Sequence, residues 1–316
     1  MSSDKNYFSP KDKIAPLFVI IAASLWGVDG IVLRPSLYSL PVPLVVFVES
    51  TIVAFLLSPY FIRQIPSLKT LQKKDWLAFF LVALLGGAIG TMAITKALFY
   101  VNFVNLSIVI LLQKLQPVFA ITLATVFLKE KLPGQFFFWA AFAVIGAYFM
   151  TFGTSLPDFT TGDKTTIAAL FSLLAALCFS SSTVLSKRAL KNVTFEMGTY
   201  LRFLFSAIIM LVIVVSLGDI KSISDITTKQ AVIFLIIAFT TGGAAIFLYY
   251  YGLKRITASV ASICELAFPL TAIILEYALR GNILMPLQWA GAIVLLVSII
   301  RITRINFANP RKDSTV

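Results

Sequence analysis

Apolar runs of about twenty residues, each closed by a short polar or basic segment, repeat ten times along the chain. That is the length a helix needs to cross the hydrocarbon of a bilayer, and only a helix keeps a single segment's backbone polar groups paired there. The pattern predicts spans at residues 14–34, 43–62, 76–100, 104–128, 133–153, 165–186, 195–217, 230–253, 257–279 and 284–302. Pro16, Pro43, Pro133 and Pro286 fall near the starts of four of them, where a missing N–H is harmless. The first run is long, lacks a small-residue cleavage site and is followed by further spans, so it reads as a retained helix rather than a signal peptide.

The segments between the runs alternate in charge. Of the 26 Lys and Arg residues, 18 fall on the side that holds the N-terminal tail, five on the other side, and three (Lys96, Lys114 and Arg202) inside spans. By the positive-inside rule both termini are expected in the cytoplasm and the chain in the plasma (inner) membrane as a multi-pass protein. A missed or false span would scramble every later loop, so the alternation supports the count of ten.

The ten spans divide into two related sets of five. An offset of 152 pairs Ser107 with Ser259, Pro117 with Pro269, Ala120 with Ala272, Ile121 with Ile273 and Leu123 with Leu275. An offset of 153 pairs Ala22 and Ala23 with Ala175 and Ala176, Trp26 with Phe179, and Glu49 with Arg202. Five spans per half put the second half upside down relative to the first. Inverted repeats are a common plan of secondary transporters, in which the solute sits near the midplane and the halves exchange conformations. The expected fold is therefore all-α integral membrane, ten helices as two inverted five-helix repeats. Its predicted parts are a cytoplasmic tail 1–13, a first repeat 14–153, an external linker 154–164, a second repeat 165–304 and a cytoplasmic tail 305–316.

Composition narrows the rest. Hydrophobic residues make up 59% and charged residues 13% of the 316, against about 45–50% and about 25% in soluble domains, so lipid is the main solvent. The net charge of +12 lies in short clusters between apolar runs, which argues against a nucleic-acid groove. There is no histidine, no phosphate-binding glycine loop and no Cys/His spacing for a metal, so an enzyme and a resident cofactor or metal are not expected. Cys178 and Cys264 lie inside apolar runs and read as small buried hydrophobes. The expected partners are a small-molecule solute, the lipid bilayer and protons as a coupling ion, and monomer and homodimer both stay open.

Particular stretches carry a family resemblance. Ala97-Leu98-Phe99-Tyr100 leads to Gln113-Lys114-Leu115-Gln116-Pro117 and then Phe127-Leu128-Lys129-Glu130-Lys131-Leu132. In the second half Tyr251-Gly252-Leu253 leads to Glu265-Leu266-Ala267-Phe268-Pro269 and Gln288-Trp289-Ala290-Gly291-Ala292. The chain resembles the ten-helix EamA-type members of the drug/metabolite transporter superfamily. It departs from that pattern with Arg280-Gly281-Asn282 opposite Lys129-Glu130-Lys131 and with Glu49 opposite Arg202. The resemblance implies a secondary carrier for a small organic metabolite, an amino acid or related zwitterion or anion, or a drug, with export ahead of import. A channel or a scaffold is the alternative.

Ionisable residues at bilayer depth point to where such a solute binds, because an unpaired charge there costs roughly 2.5–3.5 kcal/mol on the insertion scale. Lys114 and Glu265 lie too deep to reach either interface. Either they face a cavity and meet solute charges, or they pair with each other or with Glu49 and Arg202 to lock helices. Gln113, Trp26, Asp29, Tyr249 and Tyr250 are the further cavity candidates; Asp29 also reads as a residue of the interfacial belt, and the tyrosines as membrane anchors. Lys96 and Glu276 lie close enough to a helix end to snorkel. Pro117 and Pro269 are expected to break their helices in mid-span and free carbonyls. Gly86 with Gly90, and Gly242 with Gly243, are expected at close helix contacts.

Overall fold

A computed structural model of the chain describes residues 14–68, 71–100, 112–154, 165–280 and 285–305. Among the described residues every regular element is helical. In chain order the helices are α1 (Ala15–Leu37), α2 (Val42–Leu68), α3 (Lys73–Ala97), α4 (Gln116–Phe127), α5 (Gly134–Phe152), α6 (Thr165–Ala189), α7 (Phe195–Leu217), α8 (Thr228–Leu253), α9 (Ala258–Leu279) and α10 (Pro286–Arg304). All but α4 contain a stretch long and apolar enough to cross a membrane. α4 spans 12 residues of the predicted fourth span, of which 104–111 lie outside the described residues.

Bounds shift by a few residues. α2, expected to end at 62, continues to Leu68, and α6, expected to end at 186, continues to Ala189. Backbone pairing persists past the hydrocarbon, and Lys187 and Arg188 in the last turn of α6 suit the negative end of the helix dipole. Side chains cap the ends that face polar surroundings. Thr194 accepts from Met197 N–H at the start of α7, Thr227 and Gln230 form a reciprocal box at the start of α8, and Thr257 accepts from Val260 N–H at the start of α9.

Five helices are interrupted. α1 widens at Asp29–Leu33 before Pro35 removes a donor, and α3 widens at Ala83–Ile89 around its glycines. α4 starts beside Pro117 after two turn residues, Lys114 and Leu115. α8 unwinds over Thr240, Thr241 and Gly242, and α9 breaks at Glu265 and Leu266 before resuming at Ala267 with Pro269 two residues on. A proline cannot donate to the carbonyl four residues back, which for Pro117 and Pro269 is that of Gln113 and Glu265, the same position in each half; the Glu265 carbonyl accepts Phe268 N–H at 3.0 Å instead.

The helices pair in a pattern that recurs when each is replaced by the one five places along. α1 packs on α8 as α6 packs on α3; α1 packs on α9 as α6 packs on α4; and α2–α7, α4–α9 and α5–α10 map onto themselves. The α5–α10 crossing brings backbones together. A Cβ on Gly291 would run into Met150 N and lie 2.8 Å from Gly146 O, so only hydrogen fits at that contact. Ala22, Ala23, Ala175 and Ala176, aligned from sequence, are all buried, and small residues dominate the interior. Large apolar residues such as Phe55, Val126, Leu170, Val212 and Phe239 are exposed, as a lipid-facing surface requires.

The two halves are joined by a polar contact. Beyond the end of α4, with Lys129 in a left-handed backbone conformation at φ 54°, the Glu130 carboxylate accepts Ala258 N–H at 2.7 Å, Ser259 N–H at 3.1 Å and Ser259 Oγ–H at 2.6 Å. A carboxylate at a helix N-terminus satisfies donors that have no partner within the helix and favours the positive end of its dipole.

Candidate solute-binding site

The breaks in α4 and α9 face each other and place polar groups where an unbroken helix would bury apolar ones. Glu265 lies at the α9 break. Its Oε2 accepts Gln116 Nε2–H at 2.9 Å from the start of α4, and its Oε1 lies 2.5 Å from the Tyr249 hydroxyl of α8 and 3.2 Å from Thr183 Oγ1 of α6. Thr183 and Tyr249 also meet each other at 3.0 Å. Trp26 of α1 lies beside this group, its ring 5.3 Å from that of Tyr249 at an angle of 50°. Five helices from both halves thus contribute one side chain each to a single polar and aromatic cluster.

A second layer supports it. Tyr250, with no exposed surface, meets Ser186 Oγ through its hydroxyl at 2.9 Å and accepts Arg202 Nη1–H at 3.4 Å, with the guanidinium 5.8 Å from its ring. Ser180 Oγ–H donates to the Gln116 carbonyl at 2.7 Å, which holds the start of α4 against α6. Gln113 turns away from the cluster and donates to the Ser172 carbonyl at 2.8 Å. Lys114, at the α4 break, is half-buried and makes no hydrogen bond or ion pair with the described residues.

Charged residues nearer the other end of α1 form a separate group. Arg34 Nε lies 2.5 Å from Asp29 Oδ2, and Arg34 Nη2 lies 3.3 Å from Glu49 Oε2. Thr241, in the unwound part of α8, donates to Asp29 Oδ1 at 3.1 Å. Gly242 beside it leaves room for Glu49, whose Oε1 lies 2.6 Å from where a Cβ would stand.

The structure brings Trp26, Tyr249, Tyr250 and Glu265 together as candidates of one site, and leaves Gln113 and Asp29 outside that cluster. Glu49 and Arg202, the expected partners of Lys114 and Glu265, are directed elsewhere: Glu49 meets Arg34, which lies within α1 rather than in a loop, and Arg202 is directed at Tyr250. Asp29 is 6% exposed, and the widened turn of α1 directs it to Arg34 and Thr241. Tyr249 and Tyr250 are interior hydrogen-bonding groups rather than membrane anchors; Tyr251, by contrast, packs its ring 3.7 Å from the Arg255 guanidinium. Neither of two cavities elsewhere touches the cluster: one of about 240 Å³ is lined by Leu85, Leu123, Ser181, Val184 and Arg188, and one of about 600 Å³ by Gln135, Trp139, Arg301 and Arg304.

Sequence reasoning missed Thr183, Gln116 and Arg34. The run Ser180-Ser181-Ser182-Thr183 within an apolar span was a readable sign of a polar face on α6. Gln116 was readable from its place beside the proline. Arg34 was hidden by the loop assignment.

The EamA-like transporter family matches the chain twice, at residues 13–152 and 166–304. The chain belongs to the EamA-like transporter family. The first match covers α1 to α5 and the second α6 to α10 among the described residues, so the family's domain is present twice. The riboflavin transporter ImpX of Fusobacterium nucleatum is 48% identical over 291 residues, covering 92% of this EamA-like chain and 97% of that protein. The uncharacterized transporter YwfM of Bacillus subtilis is 28% identical over 313 residues, covering 96% and 97%. A crystal structure with 15% identity shares the fold at a TM-score of 0.71, covering 96% of this chain and 99% of its own. This EamA-like protein is a multi-pass membrane transporter, and its family and relatives are transporters rather than enzymes.

Proposed function

We propose that the protein is a secondary carrier that moves riboflavin, or a solute built on the same ring system, across the plasma membrane by alternating access. The observation that carries the solute class is the similarity, over almost the full length of both chains, to a riboflavin transporter. The chemistry of the cluster agrees with it. A flavin presents a flat tricyclic ring, an imide edge with one N–H and two carbonyls, and a ribityl chain of hydroxyls. Trp26 and Tyr249 supply aromatic faces, while Gln116, Glu265 and Thr183 supply donors and acceptors between them.

The recurring helix pairing and the five helices per half support an inverted repeat, and the Lys/Arg distribution supports cytoplasmic termini. The breaks of α4 and α9 meet at the cluster, as solute sites in such carriers do. One chain supplies every side chain of the cluster, so a monomer suffices. The direction of net movement follows the gradients across the membrane. A second reading, an anionic solute, is favoured by Lys114, a cation at the α4 break with no partner among the described residues.

Quenching of flavin fluorescence by the purified protein tests the proposal. Riboflavin is expected to bind saturably, and Trp26→Ala to weaken binding by roughly tenfold, since an aromatic contact contributes about 0.5–1.5 kcal/mol beyond its burial. Flavin mononucleotide, amino acids and organic anions are the competitors. Relief of the quench by organic anions favours the second reading, and no riboflavin binding refutes the first.

A further inference from the structure

The cavity at one end of the α5–α10 pair carries positive charge that no described residue balances. It holds about 600 Å³, within the range of about 300–1,000 Å³ for small-molecule sites. Pro133, Gln135 and Trp139 line it from the start of α5, and Arg301, Arg304 and Ile305 from the end of α10. Arg301 and Arg304 stand one turn apart, and neither forms a hydrogen bond or ion pair with the described residues. No acidic side chain lines the cavity; Glu130, close by in sequence, is taken up by Ala258 and Ser259. The Arg301 guanidinium lies 5.6 Å from the centre of the Trp139 ring, which steadies it without neutralising it. No side chain caps the start of α5, so the positive end of its dipole adds to the two guanidiniums.

Apolar side chains lead away from this cavity along the lipid-facing side of both helices. Phe138, Phe142 and Ile145 of α5 and Ile293, Val297 and Ile300 of α10 are exposed, each set at spacings of four and three residues that keep it on one helix face. Two guanidiniums, an indole and an apolar track therefore meet in one place, as a headgroup site at a membrane interface requires. The cavity lies on the side that collects 18 of the 26 Lys and Arg residues, because α10 ends there. The opposite end of the same helix pair is closed by neutral groups. There Gln288 Nε2–H donates to the Thr151 carbonyl at 3.3 Å, and at the offset of 153 Arg301 and Arg304 align with Tyr148 and Thr151. The charge is thus particular to one end of the pair and is not a product of the repeat.

We propose that this cavity binds the phosphate of an anionic phospholipid headgroup, with the acyl chains lying along the α5–α10 face. Arg301 and Arg304 meet the phosphate oxygens with the paired N–H donors of a planar guanidinium. A zwitterionic lipid brings its own ammonium beside the phosphate and leaves the two arginines under-compensated, so net charge selects the ligand. A free phosphate ester shares the headgroup chemistry but leaves the apolar track empty, and so binds more weakly.

The test is native mass spectrometry of the full-length protein in detergent, with phosphatidylglycerol and phosphatidylcholine of identical acyl chains. The wild type is expected to retain one phosphatidylglycerol more tightly than phosphatidylcholine, and the preference to shrink as ionic strength rises. Arg301→Gln and Arg304→Gln are expected to weaken that retention by roughly fivefold each and about thirtyfold together. Lys73→Gln with Lys74→Gln, the same loss of charge at the exposed start of α3 on the same side of the membrane, is expected to leave it nearly unchanged. Should the arginine variants fail to fold, tryptophan emission gives an independent reading: phosphatidylglycerol is expected to shift that of the wild type, and the shift to vanish in Trp139→Phe. Equal retention of the two lipids, an equal loss in the lysine variant, or an emission shift that survives Trp139→Phe overturns the proposal. Displacement of phosphatidylglycerol by an equal concentration of glycerol 3-phosphate assigns the cavity to a free phosphate ester and overturns the lipid reading.

Discussion

Glu130→Ala removes the contact that ties the connection between α4 and α5 to the start of α9. Three hydrogen bonds, at 2.7, 3.1 and 2.6 Å, end on its carboxylate, and the groups that donate them belong to Ala258 and Ser259, both buried. A lost helix cap costs about 1–2 kcal/mol, and a hydrogen bond to a charged acceptor contributes about 1.5–3 kcal/mol. Thr257 continues to accept from Val260 N–H, so the helix keeps part of its cap. A loss of about 2–4 kcal/mol is therefore expected, which corresponds to roughly 30- to 900-fold in the equilibrium between the tied and released arrangements. Amide hydrogen exchange, read over 258–264 in detergent, measures that release locally. Exchange there should accelerate within that range while α5 and α10 keep their protection. Glu130→Gln, which keeps one acceptor but no charge, should fall between. Unchanged exchange across 258–264 in Glu130→Ala would refute the claim that this carboxylate holds the halves together.

Three further outcomes follow from the packing and charge arrangement. Gly291→Ala should destabilise by about 1–3 kcal/mol or more, because its Cβ meets backbone atoms that cannot move aside, and a fall in the thermal midpoint in detergent checks it. Lys129→Gly should raise that midpoint, since a non-glycine residue in the left-handed region carries roughly 1–2 kcal/mol of strain. Arg34→Gln should cost about 3–5 kcal/mol by leaving Asp29 and Glu49 buried without their cation, and adding Asp29→Asn should recover part of the loss in a double-mutant cycle.

Much of the fold was legible because its determinants are one-dimensional. The length of an apolar run and the sign of the loops are read directly along the chain, and nine of the ten expected spans coincide with long apolar helices to within a few residues. Pro117 and Pro269 announced the breaks because proline acts on its own helix. The site was legible only in part. Glu265 and Tyr249 stood out as polar groups at depth, but their partners Gln116 and Thr183 are uncharged and lie 149 and 82 residues from Glu265. Arg34 as the partner of Glu49 escaped the sequence for a related reason. Which arginine reaches Glu49 depends on a local widening of α1 that carries Arg34 inward, and such a turn leaves no periodic trace in sequence. Gln113 stands at the position of Glu265 in the other half, yet it bonds the Ser172 carbonyl, so equal positions carry unequal chemistry.

Counterflow of labelled riboflavin in proteoliposomes tests the central claim most directly. Vesicles preloaded with unlabelled riboflavin are predicted to accumulate the label transiently above equilibrium, saturably, and more weakly with Trp26→Ala. Label that only equilibrates, at a rate linear in concentration and indifferent to preloading, would contradict a carrier that alternates around this cluster.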